Sequence, residues 1–377
     1  MASVEDRVKS LALEIGFDRV GITGAEPFVR DEAAAVERVR SGLMDGLPWY
    51  TEERVRRMNR PTALLEGARS VVSLALSYNT GEPSDEAPSP RGKVARYAWG
   101  RDYHSLIKSR TRRFVRELPD VVGGPVRARY YVDDGPMNDR AAAERSGVGW
   151  FGKNTNILTP THGSWVFLAE VVTDLDLKPD QPLKKTCGEC VRCIPACPTD
   201  AIVAPFVIDN RRCISFLTIE LRGAVPRDLR PLMGDWVFGC DICQEVCPVN
   251  RKAAPSREVE FRKRHDFDAP ELIPLLDLDE DGFRLCFNGS PIRRAKLAGL
   301  QRNVCVALGN IGDPVAVPAL AQALKSSEPL VRSHAAWALG QIGGETARDA
   351  LRGAISGEND PEVVVEVRDA LGIWNSE

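Results

Sequence analysis

The sequence lacks the features that take a protein into or across a membrane. No apolar stretch approaches the roughly 20 residues that a membrane-spanning helix needs. The opening segment, MASVEDRVKS, has neither the basic residues nor the apolar run of a signal peptide. A strong net charge is also missing, at -3 over 377 residues, although a nearly neutral protein can still carry a basic face. We therefore expect a cytoplasmic protein with no membrane attachment.

Cysteine, in contrast, is plentiful, with 10 residues. The reducing cytosol disfavours structural disulfides, so closely spaced cysteines there more often bind metal or carry out redox chemistry. The segment CGECVRCIPACP at 187–198 has the C-x2-C-x2-C-x3-C-P spacing of bacterial ferredoxins, and CDICQEVCP at 240–248 is a second, shorter run. The pattern predicts two [4Fe-4S] clusters. Such clusters relay single electrons, so another part of the chain should hold a cofactor or substrate.

Eight cysteines are available as cluster ligands, because Cys213 in DNRRCISF completes the seven of the two runs. In two-cluster ferredoxins the fourth cysteine of a run serves the other cluster. The predicted ligand sets are Cys187, Cys190, Cys193 and Cys247 for one cluster, and Cys197, Cys213, Cys240 and Cys243 for the other. Two structural zinc sites are the alternative, but zinc does not account for the full run with its proline. The remaining Cys286 and Cys305 lie in helical, apolar sequence, and we expect both to be buried.

Three segments of different character follow one another along the chain. Residues 1–180 interleave strand-like and helix-like patterns, among them the buried-strand run SVVSLALSY at 70–78, which indicates an α/β domain. Residues 181–255 contain the cysteine runs and predict a ferredoxin-like domain, while residues 256–377 combine a charged linker with helical repeats. In these repeats Ala-Leu-Gly recurs at 307–309, 338–340 and 370–372, as in a HEAT-like α-solenoid. The predicted fold class is a multi-domain α+β/α protein.

Three further motifs stand beside the cysteine runs: ARYAWGRDYH at 95–104, VDDGPMNDRAAAERSGVGWFGKNT at 132–155 and CISFLTIELRG at 213–223. With the HEAT-like tail, this ordered set covers nearly the whole chain. It resembles the epoxyqueuosine reductase family, the cobalamin-dependent iron-sulfur enzymes of queuosine biosynthesis. The ordered set is specific, whereas a ferredoxin run alone is widespread.

The resemblance implies an oxidoreductase that reduces epoxyqueuosine to queuosine at the wobble position of tRNA anticodons. Electrons would pass from an external donor through the two clusters to a cobalamin in residues 1–180. No D-x-H-x-x-G signature is present, so we expect base-off cobalamin without a histidine ligand. The family's substrates imply tRNAs for aspartate, asparagine, histidine and tyrosine, and we expect a monomer.

The proton donor that the resemblance implies is Asp133, which follows the valine of VDDGP. Opening an epoxide C–O bond is costly unless the developing alkoxide is protonated. Successive side chains at a strand end point to opposite sides, so only one of Asp133 and Asp134 faces the cofactor. Asp134 stands where the family often has Thr or Ser, and it remains the alternative. An aspartate before Gly-Pro is also ordinary turn chemistry.

A wider set of residues is predicted to line the substrate or cofactor pocket: Arg140, Lys153, Asn154, Tyr97, Trp99, Tyr103 and His104. The aromatic residues alternate with basic ones, as in sites that stack an unpaired base. The glycines of GVGWFGKNT permit close backbone approach to a cofactor. Each has a plainer alternative, namely a solvated helix arginine, a capped turn or a buried core strand.

Basic residues at the entry to the repeats are the candidates for tRNA binding: Arg293, Arg294, Lys296 and Arg302. Phosphate neutralisation depends on local patches, and solenoids offer extended concave surfaces. The alternative is a set of solvated helix faces.

Two other functions fit parts of the sequence. A cobalamin and iron-sulfur reductase of a small organic substrate, like a reductive dehalogenase, would need neither the repeats nor their basic entry. An electron-transfer protein would need no acid and no cofactor pocket, so the VDDGP and GWFGKNT segments argue against it.

Overall fold

The computed structural model describes residues 2–81, 90–264 and 266–372. Their strands are β1 (Arg19–Gly24), β2 (Ser70–Ser77), β3 (Lys93–Val94), β4 (Ala128–Tyr131), β5 (Trp150–Phe151), β6 (Ile157–Leu158), β7 (Val166–Thr173), β8 (Ile202–Ala204), β9 (Val207–Ile208) and β10 (Trp236–Phe238). Their α-helices are α1 (Val4–Ile15), α2 (Val29–Arg40), α3 (Glu52–Met58), α4 (Pro61–Leu64), α5 (Tyr103–Val122), α6 (Asp139–Arg145), α7 (Cys193–Ala196), α8 (Ile214–Ile219), α9 (Ile242–Glu245), α10 (Ile273–Leu276), α11 (Glu280–Cys286), α12 (Leu297–Ile311), α13 (Val317–Ala323), α14 (Pro329–Ile342), α15 (Glu345–Ile355) and α16 (Pro361–Ala370). Within this described part of the chain, no helix is long and apolar enough to cross a membrane.

The chain folds into two compact units, each assembled from stretches that are separate in sequence. The first unit comprises 2–81, 102–211 and 242–261, and the second comprises 90–101, 212–241 and 262–372. Helix α8 and strand β10 come from the cysteine-rich segment and belong to the second unit. The division of the sequence into three consecutive domains therefore stays a prediction.

A four-stranded sheet forms the centre of the first unit, in the order β1-β2-β7-β4. The strand predicted over SVVSLALSY is β2, and all eight of its residues are buried. Each neighbouring pair of strands is antiparallel. The predicted mixture of strands and helices is confirmed. The antiparallel pairing depends on long-range contacts that the order of elements does not specify.

Helix α6 covers one face of this sheet. Its Ala141 and Ala142 pack with Val71 of β2 and Val172 of β7. These small side chains allow the helix axis to lie close to the strands, and the apolar area removed from water stabilises the contact by about 25 cal/mol per Å². Since α6 starts directly after residues 132–138, this packing fixes the end of the loop that contains the predicted acid.

Helix α5 starts beside the same loop and packs on the opposite face. Its N-cap is Asp102, whose carboxylate accepts the backbone N–H of His104 at 3.0 Å. The ring of Tyr103 stacks on Phe167 of β7, with centroids 4.0 Å apart and planes 10° from parallel. Side chains alternate faces along a strand, so Phe167 and Val172 point to opposite sides of the sheet. The two helices thus approach the loop after β4 from both faces.

Stacked helix pairs form the repeats of the second unit. Helices α12 and α14 contain the first two Ala-Leu-Gly triplets, and α16 ends at the third. A Cβ atom on Gly309 would lie 2.9 Å from the Cα of Ala338, and one on Gly340 would lie 3.0 Å from the Cα of Ala370. The recurring glycine therefore allows successive helices to touch, and the predicted HEAT-like stacking is confirmed.

Arg302 lies inside the second unit, which corrects its prediction as a tRNA contact. Its side chain is fully buried on α12. The guanidinium donates hydrogen bonds of 2.6 to 2.8 Å to the carbonyl oxygens of Leu217, Leu221 and Gly223. Burial lowers the pKa of Arg302 to about 9. Carbonyl groups at the end of a helix have no hydrogen-bond donor within their own helix. The guanidinium of Arg302 donates to such groups at the end of α8 and just after it.

The two cysteines outside the runs have different environments. Cys305 is fully buried in α12, as expected, and burial raises the pKa of its thiol to about 12. The expectation of burial is wrong for Cys286, which is exposed at the last position of α11. Only Phe283 of that helix is buried.

Candidate active site

The loop that follows β4 holds Asp133 in an uncommon backbone conformation. Its φ is 57°, and the N–H of Asp134 donates to the carbonyl oxygen of Val132 at 2.5 Å. A hydrogen bond across three residues with a positive φ at the centre is a γ-turn of the rare, strained form. Such strain persists only where the surroundings impose it, and it clusters at active sites. The Asp133 side chain is 61% exposed and open to a reactant.

Side chains from the start of α5 hold the Asp133 carboxylate. The hydroxyl of Tyr103 donates a hydrogen bond to its Oδ2. The Nε2 of His104 lies 4.0 Å from the same oxygen, and this buried nitrogen has no hydrogen-bond partner among the described residues. Of the predicted pocket residues, Tyr103 and His104 are thus the ones brought to Asp133.

Asp102 orients the His104 ring. Its Oδ1 lies 2.7 Å from Nδ1 of His104, so the other ring nitrogen faces Asp133. Burial is the largest influence on the pKa of Asp102 and raises it. The side-chain and backbone hydrogen bonds from His104, with smaller charge effects, outweigh burial and hold the pKa below its usual value. Asp102 is therefore an ionised partner for His104 at neutral pH, the arrangement that orients histidine in acid-base sites.

Asp134, the alternative acid, has a different partner. Its carboxylate pairs with the Nζ of Lys108 on α5. The next residue, Gly135, packs so closely on Tyr131 that an added Cβ would lie 2.3 Å from the ring. These contacts fix the loop on the far side of the turn. Of the two adjacent aspartates, Asp133 is the one that the start of α5 holds.

Arg140 is exposed at the second position of α6. Among the described residues no hydrogen bond or ion pair of its guanidinium is recorded, although its charge acts on Asp139 and Tyr50. An uncommitted guanidinium so close in sequence to Asp133 is available to a substrate. Its predicted pocket role stays a prediction.

Two further carboxyl groups were not predicted from the sequence: that of Glu170, which is buried, and that of Asp139, which is half-buried with its Oδ1 shielded from solvent. Asp139 is the first residue of α6, and Glu170 lies within β7 with no exposed surface. The charge of Asp133 acts on both. The available signal was a glutamate inside the otherwise uncharged strand run VFLAEVVT, because a charged residue in a buried strand needs a partner.

The four cysteines predicted for the first cluster lie within charge range of one another. Burial, followed by the thiolates of Cys187, Cys247 and Cys190, raises the pKa of Cys193. Burial and the thiolates of Cys187 and Cys190 also raise the pKa of Cys247. In the described parts of the chain, no three side chains of His, Cys, Asp or Glu converge as a single metal ion requires.

Two cysteines of the second predicted set accept hydrogen bonds at sulfur. The backbone N–H of Ala201 donates to the Sγ of Cys197 at 3.3 Å, and Nδ2 of Asn156 lies 4.0 Å from the Sγ of Cys243. Hydrogen bonds to sulfur tune the potential of an iron-sulfur cluster. The second ligand set as a whole stays a prediction from the spacing.

Two cysteines of the second predicted ligand set and two of the predicted pocket aromatics belong to the second unit. Cys213 immediately precedes α8, and Cys240 follows β10. Tyr97 is half-buried. Trp99 is only 4% exposed, and its indole N–H donates to the carbonyl oxygen of Val94 at 2.7 Å. Trp99 is thus a core residue, which corrects its prediction as a stacking platform.

The 147–155 loop is tied to the cysteine-bearing segments. The Nζ of Lys153 donates to the carbonyl oxygen of Gly188 at 2.8 Å. Asn154 is 4% exposed and donates to the carbonyl oxygen of Cys243 at 3.1 Å. Both residues therefore position the loop beside predicted cluster ligands, and their role as cobalamin contacts stays a prediction.

Three of the four predicted tRNA contacts are exposed at the entry to the repeats: Arg293, Arg294 and Lys296. Arg294 forms an ion pair of 2.5 Å with Glu220, which neutralises part of its charge. Arg293 and Lys296 are therefore the stronger candidates for phosphate contacts.

Family models match three parts of the chain. Residues 57–134 match the family described as epoxyqueuosine reductase QueG, residues 186–250 match the 4Fe-4S double cluster binding domain, and residues 293–372 match HEAT repeats. The protein is thus a double-cluster iron-sulfur protein with a HEAT-repeat tail, and the prediction of [4Fe-4S] clusters is confirmed.

Similar proteins extend over most of the chain. The epoxyqueuosine reductase of Xanthomonas campestris pv. campestris is 41% identical over 342 residues, which cover 89% of this chain and 96% of the relative. That of Escherichia coli K12 is 40% identical over 343 residues, covering 89% and 88%. The chain therefore belongs to the epoxyqueuosine reductase family, a family of oxidoreductases.

Solved structures show the same fold. A crystal structure of epoxyqueuosine reductase with an epoxyqueuosine-modified tRNA-Tyr stem loop superposes with a TM-score of 0.92, 32% identity and 98% coverage of each chain. The enzyme from Bacillus subtilis, described with its catalytic aspartate loop swung out of the active site, gives a TM-score of 0.90, 31% identity and 99% coverage of each chain. The predicted fold class is confirmed.

Proposed function

We propose that this chain reduces epoxyqueuosine to queuosine in tRNA, with Asp133 as the proton donor. The observation that supports this assignment most is the strained turn at Asp133, whose carboxylate is held by Tyr103 and approached by His104. The similar structure with an epoxyqueuosine-modified stem loop supports the substrate. The Bacillus subtilis relative, described with its catalytic aspartate loop swung out of the active site, supports the role of an aspartate on a loop.

The reaction requires two protons. When an epoxide becomes an alkene, both C–O bonds break, a C=C bond forms, two electrons are taken up and the oxygen leaves as water. Asp133 would give the first proton as the first C–O bond opens, because an alkoxide is a poor product without it. His104 is oriented by Asp102 and lies 4.0 Å from Asp133, so it is placed to return a proton to that carboxylate.

The predicted cofactors are two [4Fe-4S] clusters and cobalamin. The first cluster would bind Cys187, Cys190, Cys193 and Cys247, and the second Cys197, Cys213, Cys240 and Cys243. Cobalamin, when bound, supplies a strongly reducing, nucleophilic cobalt for the epoxide carbon. Hydrogen-bonding capacity in the first unit fits such a group, since the Nε2 of His104 and the Nε1 of Trp150 are buried without partners among the described residues. Lys153 and Asn154 would hold the loop around Trp150 beside the first and second ligand segments.

The tRNA would bind through exposed cations. Arg140, near Asp133, is suited to contact the modified anticodon, and Arg293 and Lys296 are suited to contact phosphates. Basic groups of this kind supply most of the salt-dependent affinity for nucleic acid. We further expect a cytoplasmic monomer that takes electrons from an external donor and uses tRNAs for aspartate, asparagine, histidine and tyrosine.

Anaerobic reconstitution tests the proposal. The purified chain would be loaded with iron, sulfide and cobalamin, reduced, and mixed with bulk tRNA, and queuosine would be measured by nucleoside mass spectrometry. We expect conversion of epoxyqueuosine that requires cobalamin, and none in a matched sample that lacks it. Loaded clusters and bound cobalamin without any conversion would contradict the proposed substrate.

A further inference from the structure

Asn303 joins two segments of the second unit that carry cysteines. It lies on α12, the helix with the first Ala-Leu-Gly triplet, and is fully buried. Its Nδ2 donates one hydrogen bond to the carbonyl oxygen of Thr218 at 2.8 Å and a second to that of Val237 at 2.9 Å. Thr218 belongs to α8 and Val237 to β10. One amide group therefore uses both of its N–H bonds to tie α8 to β10, and we call these three residues the Asn303 junction.

Arg302 fixes the orientation of this amide. Its Nε and Nη2 donate to the Oδ1 of Asn303 at 3.0 and 2.8 Å, so the NH2 group faces the two carbonyls. The same guanidinium donates to the carbonyl oxygen of Leu217 on α8 at 2.6 Å. Each donor and acceptor of the amide thus has a partner of the correct kind. Because a buried polar group is costly to leave without its partner, this arrangement resists movement of α8 and β10 relative to α12.

Each of the tied segments carries one predicted ligand of the second cluster. Cys213 is the N-cap of α8, and its carbonyl oxygen accepts the N–H of Leu217 at 2.9 Å. Cys240 follows Gly239, whose N–H donates to the hydroxyl oxygen of Thr218 at 2.9 Å. The φ of Gly239 is 68°, so the chain turns directly before Cys240. The backbone at both cysteines is therefore hydrogen-bonded to residues that Arg302 and Asn303 hold.

We propose that Asn303 is a positioning residue for Cys213 and Cys240, so that α12 takes part in electron relay by holding two ligands of the second cluster at the correct spacing. Both cysteines are half-buried, and thiolate sulfur is the ligand that [4Fe-4S] clusters use. Ligands must be held within about 0.5 Å of the productive geometry, which requires rigid support from the surrounding residues. The proposal rests on the cofactor assignment of the proposed function, in which these two cysteines bind the second cluster.

The same helix offers a matched control in Asn310. Its Nδ2 also donates two hydrogen bonds, to the carbonyl oxygens of Arg230 and Gly234, both at 2.8 Å. Asn310 lies seven residues after Asn303, about two helical turns along the same side of α12. Its partners precede β10, and neither adjoins a predicted ligand. Asn303→Ala and Asn310→Ala therefore remove the same chemical group from one helix, but only the first loosens the segments that carry the two cysteines.

Loss of iron to a chelator tests the proposal without any turnover. The full chain and both variants would be reconstituted anaerobically with iron and sulfide, and the release of iron would be followed over time. We expect the iron of one cluster to leave Asn303→Ala roughly tenfold faster than the wild type, because two hydrogen bonds that hold its ligands are lost. The iron of the other cluster, and all the iron of Asn310→Ala, should leave at the wild-type rate. Equal effects on both clusters or in both variants, or no effect in Asn303→Ala, would overturn the proposal.

A redox titration followed by electron paramagnetic resonance identifies the affected cluster. A reduced [4Fe-4S] cluster is paramagnetic, and Cys240→Ala should alter the signal of the second cluster alone. In samples without cobalamin, we expect the midpoint potential of that signal to shift in Asn303→Ala and to keep its wild-type value in Asn310→Ala. A general loss of stability would not single out one of two clusters. A shift of the other signal, or of neither, would contradict the proposal, and two unaltered signals in Cys240→Ala would contradict the ligand assignment on which it rests.

Thr218→Val tests the junction from the side of α8. Valine keeps the shape of threonine but cannot accept the N–H of Gly239. The control is Thr111→Val, because Thr111 is also fully buried and donates to the carbonyl oxygen four residues earlier in its helix, as Thr218 does.

The second pair of variants keeps the test decisive if Asn303→Ala does not fold, which circular dichroism would show. Thr218→Val should then release the iron of the second cluster faster, and Thr111→Val should not. Equal release rates in these two variants would overturn the proposal. A wild type that holds both clusters and cobalamin but forms no queuosine would contradict the proposed function and leave the comparison of iron release unaffected.

Discussion

The Tyr103 hydroxyl donates a hydrogen bond to the carboxylate of Asp133. This contact joins the first residue of α5 to the centre of a strained turn. The same tyrosine ring stacks on Phe167, so the donor is held in place by the sheet. The sheet thus sets the position of the acid through one aromatic side chain.

Tyr103→Phe should therefore slow turnover while leaving the fold intact. The ring can still stack on Phe167, but Asp133 loses a donor to a charged group, which is worth about 1.5 to 3 kcal/mol. We expect a turnover number lower by roughly 10- to 100-fold, measured as queuosine formed under single-turnover conditions. Tyr130→Phe is the matched control, since its hydroxyl contacts only the exposed Arg112 in the recorded hydrogen bonds. Equal losses in the two variants would contradict a specific role for Tyr103.

The Asp139–Glu170 pair predicts a pH dependence of stability. Their pKa values are raised in the folded state, so their contribution is greatest at low pH and is lost as pH rises through the folded values. With a pKa of about 6, the contribution of Asp139 alone to the free energy of unfolding should fall by about 1 kcal/mol between pH 5 and pH 7. Urea unfolding should show this extra loss in the wild type relative to the Asp139→Asn, Glu170→Gln double variant. Parallel pH curves for the two proteins would contradict it.

The recurring glycine of the repeats predicts a position-specific effect of alanine. In Gly309→Ala the new methyl group would lie 2.9 Å from the backbone of the next repeat, so overpacking should destabilise the chain by about 1 to 3 kcal/mol. Gly353→Ala is the control, because nothing lies within 4 Å of its added Cβ and it sits in helix α15. There the higher helix propensity of alanine should stabilise the folded chain by up to about 1 kcal/mol. Thermal unfolding would distinguish the two.

The exposed cations at the repeat entry predict weaker, less salt-dependent tRNA binding when they are removed. Replacing Arg293 and Lys296 together by glutamine should lower the affinity and reduce the slope of log K against log salt by roughly 1 to 2. Arg352→Gln, which replaces an exposed arginine in α15, is the control for a general loss of charge. Filter binding at several salt concentrations measures both. An unchanged slope in the double variant would exclude these residues as phosphate contacts.

Local sequence patterns were sufficient to predict the secondary-structure elements and the iron-sulfur cluster region. The buried strand β2 was visible as an uninterrupted apolar run, and the cysteine spacing indicated two clusters. The glycine of each repeat was visible because it recurs with a fixed period, and the structure shows the close helix contact behind it. These features depend on neighbours in sequence or on a repeat.

Long-range partners could not be predicted in the same way. Arg302 looked like a surface cation, yet its partners are carbonyl groups about eighty residues earlier. Trp99 looked like a stacking residue, but its indole N–H donates to the carbonyl oxygen of Val94 and its ring is buried in the core. Asp139 can be recognised as part of a carboxyl pair only from the folded structure, in which the sheet places Glu170 opposite it. Such pairings are set by tertiary packing, which one sequence does not show.

The most direct test of the account compares Asp133→Asn with Asp134→Asn in the reconstituted enzyme. Both replace one carboxyl group of the same loop by an amide, but only Asp133 is held by Tyr103, while Asp134 pairs with Lys108. Queuosine formation would be measured by mass spectrometry, with iron content and bound cobalamin determined in each sample. We predict that Asp133→Asn retains its cofactors and forms no queuosine, whereas Asp134→Asn remains active. Near-normal turnover by a fully loaded Asp133→Asn would contradict the account.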